Sequence, residues 1–238
     1  MFSLDERVII ITGAAGNLGR AVAQRCREAG AHTVLVDRGS DRLAERFPVI
    51  AGSPRHLLLS GVDLVDADAA EAMAARALER FGRIDGLVHT VGGFRGGAPA
   101  YDDAADTLDF VLDANLHSAV QACRAVVPAM VRRRYGRVVT IGAMAALTVP
   151  PGLAAYAAAK SALCDYTRGL AQDLHDHGVT ANCVLPAIMD TPENRAAMPE
   201  ADRRHWAPPE AIADVVLFLV SDLARAVTGA AIAAPGTA

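Results

Sequence analysis

Arg7–Gly30, RVIIITGAAGNLGRAVAQRCREAG, is the stretch on which the reading of the whole chain turns. Arg7–Thr12 is a β-branched apolar run of the kind that fills a strand covered on both faces. Gly13, Gly16 and Gly19 follow at G-x-x-G-x-x-G spacing. An amphipathic pattern then runs to about Ala29, with Gly30 placed to stop it. Strand, glycine turn and helix form the context in which a dinucleotide pyrophosphate is bound. Glycines let the backbone approach the phosphates, and the helix N-terminus favours their negative charge. Taken alone, the glycine run fits a plain tight turn equally well.

Outward from this unit, strand-like and helix-like segments alternate. Further strands are expected at His32–Val36, Leu57–Ser60, Asp85–Thr90, Val138–Ile141, Val179–Leu185 and Ala230–Ala234. Helical patterns cover Asp66–Phe81, Asp103 to about Arg134 with a break near Asn115 or Pro128, Tyr156 to His177, and Pro208–Asp222. Arg132–Arg134 suit a helix C-terminus, and His175 and His177 are dipole partners there rather than metal ligands. No repeat and no linker interrupts the alternation. The expected fold is therefore α/β: a single doubly wound Rossmann domain over 1–238, with about seven parallel strands and helices on both faces. Four glycines in the seven residues Val91–Gly97 suggest close backbone approach to a ligand or a mobile loop. The proline-rich, charged stretch 187–207 is long enough to act as a lid.

Composition narrows the function. The chain has 238 residues, 52% apolar and 21% charged, with a net charge of −4. That balance gives no electrostatic reason to expect nucleic acid or an anionic membrane as partner. The N-terminal apolar run is short, lacks a basic flank and leads into the glycine turn, so it reads as a strand rather than a signal peptide. Cys26, Cys123, Cys164 and Cys183 are scattered, without a C-x-x-C pair. They suit reduced, buried thiols in a cytoplasmic protein, and no metal site is expected.

Two further features carry chemistry. Asp37 ends the second strand where an acid meets the adenosine ribose hydroxyls, and its charge repels a 2′-phosphate. This favours NAD(H), while the adjacent guanidinium of Arg38 leaves NADP(H) open. In the alanine-rich segment after Val138–Ile141, Tyr156 and Lys160 stand four apart, on one face of a helix. A cation held close to a phenol favours the phenolate and makes it a usable acid/base. All the unusual stretches fall just past strands, on the one sheet edge where such folds bind ligands.

The combination of Thr12–Gly19, Asp37, Asp63, Asn115, Tyr156 with Lys160, and Pro186–Thr191 resembles the short-chain dehydrogenase/reductase family over essentially the whole length. The resemblance implies an NAD(P)-dependent oxidoreductase acting on a small-molecule substrate, as a homodimer or homotetramer paired through the long helices at about 103–134 and 154–177. By carry-over, Tyr156 is the catalytic acid/base, Lys160 holds the nicotinamide ribose and lowers the Tyr156 pKa, and Asn115 kinks its helix and anchors a proton-relay water. Gly13, Gly16, Asn17, Leu18, Gly19, Asp37, Arg38, Asp63, Leu64, His89, Val91, Gly92, Pro186, Met189 and Thr191 would contact the cofactor.

The sequence also departs from the family pattern. His89-Thr-Val-Gly92 replaces the usual Asn-Asn-Ala-Gly, and Ala187 follows Pro186 in place of glycine. Asn17 stands at the second fingerprint glycine, where its tolerance of a left-handed backbone would help. The catalytic serine position is Ala143, with no hydroxyl at 142–147. A narrower resemblance accounts for this. Gly142–Leu147, Val91–Phe94 and Leu185–Trp206 look like the dihydropteridine reductase branch, which is NADH-dependent, dimeric and also carries alanine there. It implies a conjugated acceptor near Ala143, Phe94 and Trp206. The alternatives are a ketone/alcohol dehydrogenase or 3-oxoacyl reductase-like enzyme, and a degenerate NAD-binding regulatory or partner protein. The glycine spacing also raises a sugar-nucleotide epimerase, which the absence of an added C-terminal subdomain disfavours.

Overall fold

A computed structural model describes residues 3–50 and 52–236. β1 (Val8–Thr12), β2 (His32–Asp37), β3 (His56–Ser60), β4 (Gly86–His89), β5 (Gly136–Ile141), β6 (Val179–Pro186) and β7 (Ala231–Ala234) form one sheet. Its order is β3-β2-β1-β4-β5-β6-β7, with every pairing parallel. The strand order reverses between β1 and β4, so a crevice opens at their carboxyl ends, beyond the register pair Thr12 and His89.

The helices are α1 (Asn17–Glu28), α2 (Arg42–Arg46), α3 (Ala67–Phe81), α4 (Thr107–Leu112), α5 (Ser118–Arg133), α6 (Ala145–Thr148), α7 (Ala154–Asp173), α8 (Pro192–Ala197) and α9 (Pro209–Val220). The side chains of β1 alternate between two cores. Ile9 and Ile11 pack with Val22 and Cys26 of α1 and Val216 and Val220 of α9. Val8 and Ile10 pack with Met73 and Ala77 of α3 and Val126 and Met130 of α5. Both faces being covered explains why β1 reads as an unbroken apolar run. Each fully buried Ile or Val contributes about 1.5–3 kcal/mol over leaving it in water.

Several boundaries differ from expectation for physical reasons. The long stretch after 103 becomes helical only at Thr107 and divides at a π turn over Asp113–His117. Asn115 makes that break: its Nδ2 donates to the carbonyls of Val111 and Gly93, each at 2.8 Å, so the side chain competes with the helix ladder. Pro128 does not break α5, because buried Val126, Val127, Ala129 and Met130 hold the helix around it. α7 ends at Asp173, and His175–His177 form a separate 3-10 turn before left-handed Gly178. The stretch 187–207 is not wholly irregular. Thr191 caps α8 by accepting from the Asn194 N–H at 3.2 Å, Pro192 occupies the first turn, and Met189 bridges to Ala207. Among the described residues, no helix is long and apolar enough to cross a membrane.

Candidate active site

The glycine turn lies at the mouth of the crevice. Gly13 has φ +67°, and the Gly16 N–H closes the turn onto the Gly13 carbonyl at 3.0 Å. A Cβ on Gly19 would stand 2.2 Å from the Gly13 oxygen, so α1 is pressed onto the turn as only glycine allows. α1 starts at Asn17 with Gly16 as its cap, no side chain capping it and no acid in its first turn. Its free N–H groups face a cleft of about 250 Å³ lined by Gly13, Gly16–Gly19 and Thr90 on one side and Met189, Thr191, Glu193 and Asn194 on the other. An uncapped helix N-terminus behind a glycine turn fits the pyrophosphate of a dinucleotide. Asn17 is helical rather than left-handed, and its amide donates to Glu193 at 2.6 Å across the cleft.

Asp37 is nearly buried at the end of β2. It accepts the N–H groups of Ala15 at 3.2 Å and Gly39 at 2.9 Å, tying the glycine turn to the following loop, and Arg42 approaches to 3.7 Å. Arg38 points outward with its side chain 81% exposed, 3.8 Å from Asp63. Asp63 accepts from the Val65 N–H at 3.1 Å, and the side chain of Leu64 lies in the core.

The structure brings Tyr156, Lys160 and Asn115 together under the loop Val91–Gly97. A Cβ on Gly92 would lie 2.8 Å from Asn115 Oδ1 and 3.4 Å from Lys160 Nζ, so this loop runs directly over both. Asn115 Oδ1 accepts the Gly93 N–H at 3.2 Å, completing a two-way tie with that residue. Lys160 is buried, and its ammonium donates to the Ile141 carbonyl at 2.7 Å. Burial lowers its pKa from 10.5 to about 8. Its Nζ stands 5.9 Å from the centroid of the Tyr156 ring. Contrary to the expectation of a depressed phenol pKa, burial pushes Tyr156 up to about 12. Phe94 meets the same ring edge-on, at 5.1 Å between centroids.

Other expected site residues fall in different environments. His89 has both ring nitrogens engaged inside the protein, Nδ1 with Thr12 at 3.0 Å and Nε2 with Ser118 at 3.2 Å. Burial and the Lys160 charge lower its pKa to about 3. It stays neutral and offers no free polar atom to a ligand, which corrects its expected cofactor contact to a structural one. Val91 and Gly92 present the loop backbone, and Pro186 closes β6 with its carbonyl accepting the Met144 N–H at 2.8 Å. Ala143, next to Met144 in sequence, is buried. Trp206 is largely buried, with Arg203 5.9 Å above its ring, so it packs the loop rather than facing an acceptor. Phe94, Leu147, Val149 and Ile188 are exposed and apolar.

Two features escaped the sequence reading. Glu193 and Asn194 line the phosphate cleft; the Thr191-Pro192 signature of a helix start was the available signal. Cys164 and Cys183 lie under Gly142 with their sulfurs 3.4 Å apart, brought together from α7 and β6 with no local pattern to announce it.

The sequence model of a family described as short chain dehydrogenase matches residues 7–202. The chain is 32% identical to the cyclohexanol dehydrogenase of a Rhodococcus species, over 98% of this chain and 96% of that protein. It is 28% identical to a 3-oxoacyl-(acyl-carrier-protein) reductase of Thermotoga maritima, over 98% of each. The crystal structure of levodione reductase superposes with a TM-score of 0.90 at 29% identity, covering 99% of this chain and 98% of that one.

Proposed function

The chain belongs to the short-chain dehydrogenase family of NAD(P)-dependent oxidoreductases, and on that premise we propose that it reduces a small conjugated acceptor with NADH, Tyr156 supplying the proton. The observation that carries this reading is the lack of a second hydroxyl at the acceptor position. Ala143 occupies the sequence position of the family serine and is itself buried, and the nearest candidate replacement on β5, Thr140, is fully buried with its hydroxyl bonded to Thr167 at 2.8 Å. The bound dinucleotide supplies the hydride. The glycine turn and the α1 N-terminus hold its phosphates, and Asp37 takes the adenosine ribose while opposing a 2′-phosphate. Met189 and Thr191 hold its far end.

Burial raises the Tyr156 pKa to about 12, so the phenol is a weaker acid than free tyrosine and its donation depends on stabilising the phenolate it leaves. The nearby Lys160 ammonium then faces the phenolate that donation leaves, and Asn115 fixes the overlying loop. A plain ketone gathers charge on one oxygen, and losing one donor there costs roughly 2.7–4 kcal/mol, or 100- to 1000-fold in rate. A quinone or quinonoid dihydropterin spreads that charge over a ring and needs the donor less. Phe94, exposed and edge-on to the Tyr156 ring, suits contact with such a ring.

A second reading, a ketone/alcohol dehydrogenase, is favoured by the names of the relatives, among them cyclohexanol dehydrogenase. Steady-state NADH oxidation against quinones, quinonoid dihydropterin, ketones and aldehydes separates the two. Faster turnover of the conjugated acceptors supports the first, and efficient turnover of plain ketones supports the second. The assembly proposed from the family is a homodimer or homotetramer through α5 and α7; a monomer by light scattering at micromolar concentration would refute it.

A further inference from the structure

A second cleft, of about 730 Å³, lies away from the glycine turn, between the outer face of α1, α2 and the start of β3. It shares no lining residue with the phosphate cleft. Four arginines line it: Arg20 and Arg27 from α1, Arg46 from α2 and Arg55 before β3. The chain as a whole carries a net charge of −4, so this local positive charge runs against the composition. Glu28 is the one acid in the lining, and both its oxygens are taken, by Gln24 at 2.8 Å and Arg25 at 3.1 Å. Among the described residues, Arg20, Arg27, Arg46 and Arg55 form no ion pair. The Nε of Arg27 is buried without a hydrogen-bond partner. Arg55 is held in place by donating to the Gly30 carbonyl. His56 is bonded to Thr33 at 2.9 Å, and burial followed by the charges of Arg27 and Arg55 pulls its pKa down to about 4.

Four guanidiniums around a single carboxylate that is already hydrogen-bonded repel one another, and the buried Nε of Arg27 without an acceptor is costly. The repulsion is relieved by a bound anion with several oxygens, and the planar fork of arginine matches phosphate. The number of guanidiniums sets the size. Arg20 and Arg27 come from one face of α1, and Arg46 and Arg55 from two further segments. Four arginines around a cleft of about 730 Å³ offer more donors than one phosphate can engage bidentately, and a chain of two or three matches them better. We infer that this arginine cleft binds a small molecule carrying two or more linked phosphates, at a site separate from the cofactor groove. This inference stands independently of the acceptor proposed above.

The test is isothermal titration of the full chain with inorganic tripolyphosphate at physiological ionic strength, with and without saturating NADH. With NADH filling the glycine-turn cleft, one saturable site is expected to remain, with single phosphate binding there roughly tenfold or more weakly. Arg20→Met and Arg46→Met alter exposed side chains, and each is expected to weaken binding by roughly tenfold with an unchanged melting temperature in the absence of polyphosphate. Failure to saturate at millimolar tripolyphosphate overturns the inference. So does loss of binding on adding NADH, or equal affinity in both variants and the parent.

Discussion

Replacing Asp37 with Ala tests two roles of one carboxylate. In the structure it accepts from the Ala15 N–H at 3.2 Å and the Gly39 N–H at 2.9 Å, pinning the glycine turn to the loop after β2. A hydrogen bond to a charged group contributes roughly 1.5–3 kcal/mol, and losing an acceptor leaves each N–H to find water. Ala15 is buried, so its N–H finds water poorly, while the Gly39 loop is more open. The expected loss is about 2–4 kcal/mol of stability, or a melting point lowered by about 5–15 °C for a domain of this size. The same carboxylate is the group proposed to exclude a 2′-phosphate. NADH is expected to bind the parent more than roughly tenfold tighter than NADPH, a difference of about 1.4 kcal/mol, and Asp37→Ala to narrow that gap. Calorimetric melting and titration with both cofactors read the two effects separately. A variant that melts like the parent and keeps the same cofactor ratio would refute both roles. Equal or tighter NADPH binding by the parent would show that Arg38, not Asp37, sets the preference.

Gly19→Ala places a Cβ 2.2 Å from the Gly13 oxygen; it is expected to cost about 1–3 kcal/mol of stability and to abolish NADH binding, measured by melting and fluorescence titration. Glu193→Gln removes the carboxylate that faces Asn17 at the α1 N-terminus and is expected to tighten NADH binding by roughly threefold; weaker binding would show that the carboxylate aids closure instead. Lys160 has a folded pKa of about 8, below its ordinary 10.5, so the unfolded chain binds more protons between those values. Stability of the parent is therefore expected to rise with pH from about 8 to 10.5 relative to Lys160→Met, in pH-dependent denaturant melts, and parallel curves would contradict the burial of its charge.

The parts of the fold that could be read from the sequence were those whose signal is local and repeated. β1 announced itself because Val8–Thr12 is buried on both faces, so no polar residue interrupts it. The helix break was legible only as one near Asn115 or Pro128, and the structure places it at Asn115, whose side chain competes for backbone partners. α2, α6 and α8 were missed: at four to six residues they are too short for periodicity. The site was legible as a set of positions but not as electrostatics. Tyr156–Lys160 spacing suggested a depressed phenol, yet the lysine donates to the Ile141 carbonyl and the phenol is largely buried, so desolvation prevails. His89 and the arginine cleft depend on contacts between distant segments, which no local pattern reports.

The central claim is that the missing hydroxyl at Ala143 directs the chemistry to conjugated acceptors. Its most direct test is kcat/KM for a quinone and for the matching saturated ketone, in the parent and in Ala143→Ser. The parent is expected to favour the quinone by roughly 100-fold or more, and Ala143→Ser to raise ketone turnover by at least about tenfold with little change for the quinone. Equal turnover of the two acceptors by the parent, with no gain from the serine, would contradict it.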